Sequence, residues 1–219
     1  MVPTNRSYGD ACGIARALDV VGERWALLVV RELLLGSQRF SDLRRALPNA
    51  ASNVIADRLR ELEGRGVITR RTLPPPAGSA VYELTAWGQD LEPILLALGN
   101  WGIGIALPPS PVTLSATSML LFLRTSARVD PRAAPMVCHL ELNDRPWTVK
   151  IEDGRLQVES GEPTAPDVTL RTDPQTLNTL LGDPSRLDAM SEQSAAVTGD
   201  RSALRRFLDA VVVPTPAAL

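Results

Sequence analysis

The chain has 219 residues, room for one large domain or two ordinary ones. With 44% hydrophobic and 22% charged residues, it has the balance of a globular protein, and Arg31 and Glu32 break its longest apolar run well short of a membrane helix. There is no signal-peptide pattern, and two cysteines are too few for a disulfide scaffold, so a cytoplasmic protein with no membrane partner is expected. The net charge of −2 argues against nucleic acid, yet residues 31–72 hold nine arginines against five acids, a local excess of +4. Arginine offers a planar fork of donors suited to phosphates and guanine edges; solvated helix faces would show the same excess.

Taken in order, Ile14, Leu18 and Val21 recur at i, i+4 and i+7, predicting a helix that ends at Gly22. A second helix is predicted over residues 23–35, apolar around most of its surface, the pattern of a central buried helix. Ser41 reads as the N-cap of a short helix to Ala46, stopped by Pro48, and Ser52 as the cap of the next, to Gly64. Residues 67–71 and 81–84, around a Pro/Gly-rich tip, predict a hairpin, and Thr85 caps a last helix reaching about Trp101. Three prolines in residues 107–111 then end any helix and place a domain boundary near 106–112, giving domains 1–106 and 112–219. Beyond it a helix at 112–126 precedes strands at 137–142, 147–151 and 156–160, with Glu-Asp-Gly at 152–154 as a turn. A strand at 167–172, helices at 174–181 and 185–191, a strand at 195–198 and a helix at 201–210 follow. The fold class is α+β: a winged helix-turn-helix domain, then a second α+β domain.

The two short helices joined by Pro-Asn-Ala-Ala have helix-turn-helix proportions, and a two-strand wing follows. On the second of them, Ile55, Leu59 and Leu62 form a core-facing stripe. At about 100° per residue, Asn53, Asp57 and Arg60 point the opposite way, with Ala56 on the flank. Short polar residues near the helix start and a long donor one turn later suit a helix entering the major groove of double-stranded DNA. Arg39, just before Ser41, sits where a cation and a helix N-terminus can hold one phosphate. Arg70 and Arg71 alternate along a wing strand, so one of the two can face the DNA backbone.

These residues resemble a known family. Cys12-Gly-Ile-Ala-Arg-Ala-Leu-Asp-Val-Val-Gly-Glu-Arg-Trp25, VVRELLLGSQRFSDLRRAL at 29–47, ADRLRELEGRGVITRR at 56–71 and VYELTAWGQDLEPIL at 81–95 are similar to the HxlR-type winged-helix regulators. The four blocks occur in order over about residues 10–102. The resemblance implies a homodimeric bacterial repressor or activator that pairs through its N-terminal helix and the 86–101 helix and binds a DNA operator. It also implies Ser52–Gly64 as the reading helix and a wing around 72–80. Such proteins usually stop soon after the last helix, whereas this chain continues for over a hundred residues. Cys12 falls where many members carry a cysteine that in some senses oxidants; the alternative is a small packing residue.

The second half resembles the sterol-carrier-protein type 2-like fold, on PDVTLRTDPQTLNTLLGD at 166–183 and AAVTGDRSALRRFLDAV at 195–211. That resemblance implies a lipid-like or aromatic ligand, or in some relatives only a dimer contact. Met119, Phe122 and Leu123 on the helix, with Trp147 on a facing strand, either line a pocket for a hydrophobic effector or fill an ordinary core. Alternation puts Trp147, Val149 and Ile151 on one face and Thr148 and Lys150 on the other. Cys138 and His139 are adjacent in a strand and point apart, so they form no nucleophile–base pair. No metal site, phosphate loop or dinucleotide motif is present, so no cofactor and no enzyme is expected. The function read from the sequence is a DNA-binding transcriptional regulator with a sensory second domain. The competing class is a hydrophobic-ligand carrier whose winged helix serves only to dimerise.

Overall fold

The computed structural model describes residues 7–75, 78–106 and 112–212. Their contacts divide the chain into two units, Met1–Ala97 and Leu98–Leu219. Residues 107–111, within the expected 106–112 boundary, and Pro76 and Ala77 of the hairpin tip lie outside the described residues.

In the first unit, α1 (Gly13–Val21) stops at Gly22, as its sequence requires. Helix α2 (Ala26–Leu33) starts three residues later than expected, because Trp25 takes a left-handed φ of 77° that no helical residue can share. Val29, Val30 and Leu33 of α2 are buried, and α2 packs against α3 (Phe40–Ala46), α4 (Ser52–Gly64) and the central strand of a small sheet. That sheet has a strand the sequence did not show, β1 (Gln38–Arg39). It pairs with β3 (Ala80–Leu84), which also pairs with β2 (Ile68–Thr72), all antiparallel. The buried Gln38 amide donates to the Glu32 carbonyl, so β1 is tied to the end of α2.

The extra strand corrects the expected caps. Because Arg39 is held extended against Val81, α3 begins at Phe40 and Arg39 occupies the N-cap; Ser41 lies inside the first turn. Asp42 supplies the capping group, its carboxylate accepting from the Arg39 N–H at 3.1 Å. Likewise Ala51, in extended geometry, is the N-cap of α4, and Ser52 is its first residue. Thr85 does cap the next helix, its hydroxyl accepting from the Gly88 N–H at 3.0 Å. The expected 86–101 helix is two, α5 (Ala86–Gln89) and α6 (Glu92–Gly102). Pro93 explains the break, since it has no N–H to give the Gln89 carbonyl and its ring would clash with it. Gly88 sits where an added Cβ would be 2.0 Å from the Val67 carbonyl oxygen, so α5 lies directly on the approach to β2.

In the second unit, α7 (Ala116–Ser126) is capped by Ser115. A five-stranded sheet follows: β5 (Met136–Leu142), β6 (Arg145–Glu152), β7 (Arg155–Ser160), β8 (Val168–Thr172) and β9 (Ala195–Gly199). The spatial order is β7-β6-β5-β8-β9; β5 and β8 run parallel and every other pair is antiparallel. Asp153 and Gly154 turn with φ of 50° and 68°, the two positive values of a tight hairpin, as expected. Asn143 and Asp144, at 52° and 60°, make a second such turn that the sequence reading passed over. Register puts Cys138, Leu140, Trp147, Val149 and Leu170 on one buried face, and α7 and α9 (Arg201–Ala210) contact the sheet. Between them in sequence, α8 (Pro174–Gly182) begins on Asp173, whose carboxylate accepts from the N–H groups of Gln175 and Thr176. The helix expected at 185–191 is a short 3-10 turn, Pro184–Asp188. Finally β4 (Arg128–Val129) and β10 (Val211–Val212) pair antiparallel, an element absent from the sequence reading.

Candidate nucleic-acid interface

Helix α4 is oriented by its apolar stripe. Ile55, Leu59 and Leu62 are essentially inaccessible, which fixes the opposite face toward solvent. There Asn53 and Arg60 are exposed and Ala56 and Asp57 half-buried. The Arg60 guanidinium donates through Nη2 to the Asp57 carboxylate one turn earlier. Arg58 lies off this face, with a mostly buried side chain 2.6 Å from Glu61 and 3.5 Å from Glu23. Ser52 is exposed at the helix start, where the first N–H groups of the helix project.

Around α4, Arg39 on β1 and Arg71 on β2 are register partners of the same residue, Val81, in the central strand β3. Arg71 is engaged by Glu83, with Nη2 2.9 Å and Nε 3.1 Å from its carboxylate oxygens. This hydrogen bond, more than the charge, raises the Arg71 pKa, and Arg71 in turn lowers that of Glu83. Arg70, one residue away, is exposed and makes no ion pair among the described residues. Ser41 is exposed in the first turn of α3. Arg44 and Arg45, in the last turn of α3, are exposed cations that the residue-by-residue reading left out; the +4 excess of residues 31–72 was their only signal. The structure thus brings Asn53, Ala56, Asp57 and Arg60 onto one helix face and Arg39 and Arg71 onto one sheet, and it separates Arg70 from Arg71 by their partners.

Away from this surface, Cys12 is exposed at the N-cap of α1, where the N–H groups of Ile14 and Ala15 lower its thiol pKa. Cys138 is the opposite case: burial, with the nearby Asp167 charge, pushes its thiol up to about 12. In the second unit, Met119, Leu123 and Trp147 are buried, while Phe122 is half-buried on the flank of α7. The Arg145 guanidinium lies 4.9 Å over the Trp147 ring, and the Trp147 indole N–H, although buried, has no acceptor among the described residues. Register confirms that His139 points away from Cys138, toward Thr169, whose hydroxyl is 3.5 Å from Nδ1. Among the described residues no group of three or more His, Cys, Asp or Glu could hold a metal ion. None of their helices is long and apolar enough to cross a membrane.

A buried-stripe helix with a polar outer face, preceded by a short helix and followed by a two-strand wing, defines a helix-turn-helix transcriptional regulator. The comparisons agree with this. Residues 20–107 match the model of the HxlR-like helix-turn-helix family, and the chain belongs to that family. It is 43% identical over 86 residues to the uncharacterized HTH-type transcriptional regulator YvaP of Bacillus subtilis, covering 39% of this chain and 80% of that one. To the uncharacterized HTH-type regulator sll1512 of Synechocystis it is 36% identical over 94 residues, 43% of this chain and 70% of that one. A solved structure, the redox regulator HypR in its oxidized form, is 31% identical with a TM-score of 0.42, covering 44% of this chain and all of that one. Residues 110–217 match the model of the alkyl sulfatase C-terminal family.

Proposed function

We propose that the chain is a homodimeric, sequence-specific repressor without enzymatic activity or cofactor. Its domain 1–106 reads an operator, and its domain 112–219, of sterol-carrier-like type, senses a hydrophobic or aromatic small molecule. The observation that carries the reading is the solvent face of α4, where Asn53, Asp57 and Arg60 stand opposite a buried stripe. Phosphate contacts are assigned to Arg39, to Ser41 and Ser52 at their helix starts, and to one of the wing arginines.

A second copy is the partner assigned to the apolar surface of the first unit. Ile14 of α1, Trp87 of α5 and Ile94 of α6 are exposed, and a cleft of about 630 Å³ between these helices is lined by Val20, Val67, Trp87 and Leu91 among others. Exposed apolar surface of this kind marks an association site in soluble proteins. The effector site is assigned to the interior around Met119, Leu123 and Trp147, with Phe122 at its edge. The buried Trp147 N–H, which has no acceptor among the described residues, supports that placement. An effector there would act only by binding one state of the dimer better than the other.

The test is a gel shift on the DNA upstream of the protein's own gene across a salt series. Binding that weakens by about 0.9 logarithmic units per phosphate contact for each tenfold rise in salt, and that unrelated DNA does not compete away, is the expected result. Competition by any DNA alike would contradict it. For the second domain, hydrophobic metabolites should raise the melting temperature of the full chain, and Trp147→Ala should abolish the rise. No shift across the panel would leave that domain a scaffolding role.

A further inference from the structure

We propose that Asp57 is a positioning residue that sets base specificity by holding the Arg60 guanidinium toward the base edges and away from the phosphates. The inference rests on the reading of α4 as the helix that enters the major groove. An acidic side chain on that face calls for an explanation, because a carboxylate approaching DNA repels its phosphates and weakens binding to every sequence. Stability does not supply the explanation. The Arg60 side chain is 71% exposed and that of Asp57 36%, and ion pairs this open add little to a fold.

The geometry supplies another. Arg60 is a long, flexible side chain on an exposed helix face, and by itself it could swing to the nearest phosphate. The hydrogen bond from Nη2 to the Asp57 carboxylate biases the side chain against that swing. It uses one of the five N–H donors of the fork and leaves enough for a two-donor contact. That contact matches guanine O6 and N7 in the major groove. Asn53, one turn before Asp57 on the same exposed face, continues the line with the donor–acceptor pair that suits adenine. Asp57 therefore trades general affinity for discrimination, the repulsive element that specificity requires. Arg58, although only two residues from Arg60, cannot substitute, because Glu61 and Glu23 hold it elsewhere.

The test is selection of full-length protein against a pool of randomised duplexes, sequencing the bound fraction, with a fixed unselected duplex measured beside it. The wild type should enrich a motif containing a G·C pair whose preference falls about tenfold in Arg60→Ala. Asp57→Asn should lose most of the preference at that same pair while binding the unselected duplex more tightly, and Asp57→Glu should retain the preference. Adding Asp57→Asn to Arg60→Ala should change that preference no further, which separates positioning from a general charge effect. Far-UV circular dichroism should be unchanged throughout, since both side chains are on the surface. The proposal is overturned if Asp57→Asn keeps the preference at the Arg60 pair, or loses one at a different pair, in which case Asp57 reads a base itself. A wild-type chain that enriches no motif refutes the DNA-reading assignment of α4, and this inference with it.

Discussion

Replacing Arg70 and Arg71 one at a time distinguishes a phosphate contact from a brace within the wing. The two are neighbours on β2 and carry the same charge, but Arg71 is held by Glu83 at 2.9 Å while Arg70 has no ion pair among the described residues. A cation already neutralised in the free protein releases no extra counterion unless its partner is given up, and Glu83 would then face the phosphates alone. Each phosphate newly neutralised contributes about 0.9 to the salt slope. Arg70→Ala is therefore expected to lower the slope by about 0.9, so that over a fourfold rise in salt the variant loses about 3.5-fold less affinity than the wild type. Arg71→Ala is expected to leave the slope unchanged. Glu83→Gln, which frees Arg71, should raise it by up to about 0.9. Fluorescence anisotropy of a labelled duplex between about 50 and 200 mM potassium chloride reads all three. Equal decreases for Arg70→Ala and Arg71→Ala, or a decrease for Arg71→Ala alone, would refute the reasoning.

The remaining predictions concern the thiols and a cap. Iodoacetamide at neutral pH should alkylate Cys12 about a hundredfold or more faster than Cys138, since one thiol is exposed with a lowered pKa and the other buried with a raised one; mass spectrometry gives both rates. With one cysteine per unit, Cys12 has no resolving partner in its own unit, so Cys12→Ser should bind and release its operator normally. A diamide response present in the wild type and lost in that variant would contradict this. Asp173→Ala should cost about 1 kcal/mol in urea melts at neutral pH, because it removes the carboxylate that caps α8. Burial alone would raise the Asp173 pKa, but the hydrogen bonds from Thr176 and Gln175 lower it on balance. Its charged-state contribution is therefore present above the unfolded carboxylate value of about 3.9 and lost as pH falls through the lower folded value, so the charge-dependent part of the cost should vanish in strong acid.

Much of the fold is legible in the sequence where local chemistry decides it. The Ile55, Leu59, Leu62 stripe, the Asp153–Gly154 turn, the Thr85 cap and the alternation of Trp147, Val149 and Ile151 each depend on residues close together in the chain. The failures have a common cause, which is that distant pairing overrides local preference. Ser41 and Ser52 are good caps by type, yet the pairing of Arg39 with Val81 fixes where α3 starts, and the turn before Ala51 fixes α4. The two-residue strands β1, β4 and β10 are too short to carry any period at all. Pro93 was visible as a breaker, and the apolar run around it masked the division into α5 and α6. At the candidate site, the residue types were legible and their partners were not. Nothing in the sequence said that Glu83 would engage Arg71, and not Arg70, because that depends on strand register and side-chain reach in the folded chain, whereas the i,i+3 spacing of Asp57 and Arg60 on one helix face was a legible signal for their pairing.

The central claim is that α4 of a paired chain reads a specific DNA site. Hydroxyl-radical footprinting on the DNA upstream of the protein's own gene tests it most directly. The account predicts two protected half-sites with their centres about one helical turn, or a whole number of turns, apart, as two recognition helices related by a dimer axis require. It also predicts that Arg60→Ala loses both footprints together. Uniform protection without register, or footprints that survive Arg60→Ala unchanged, would contradict it.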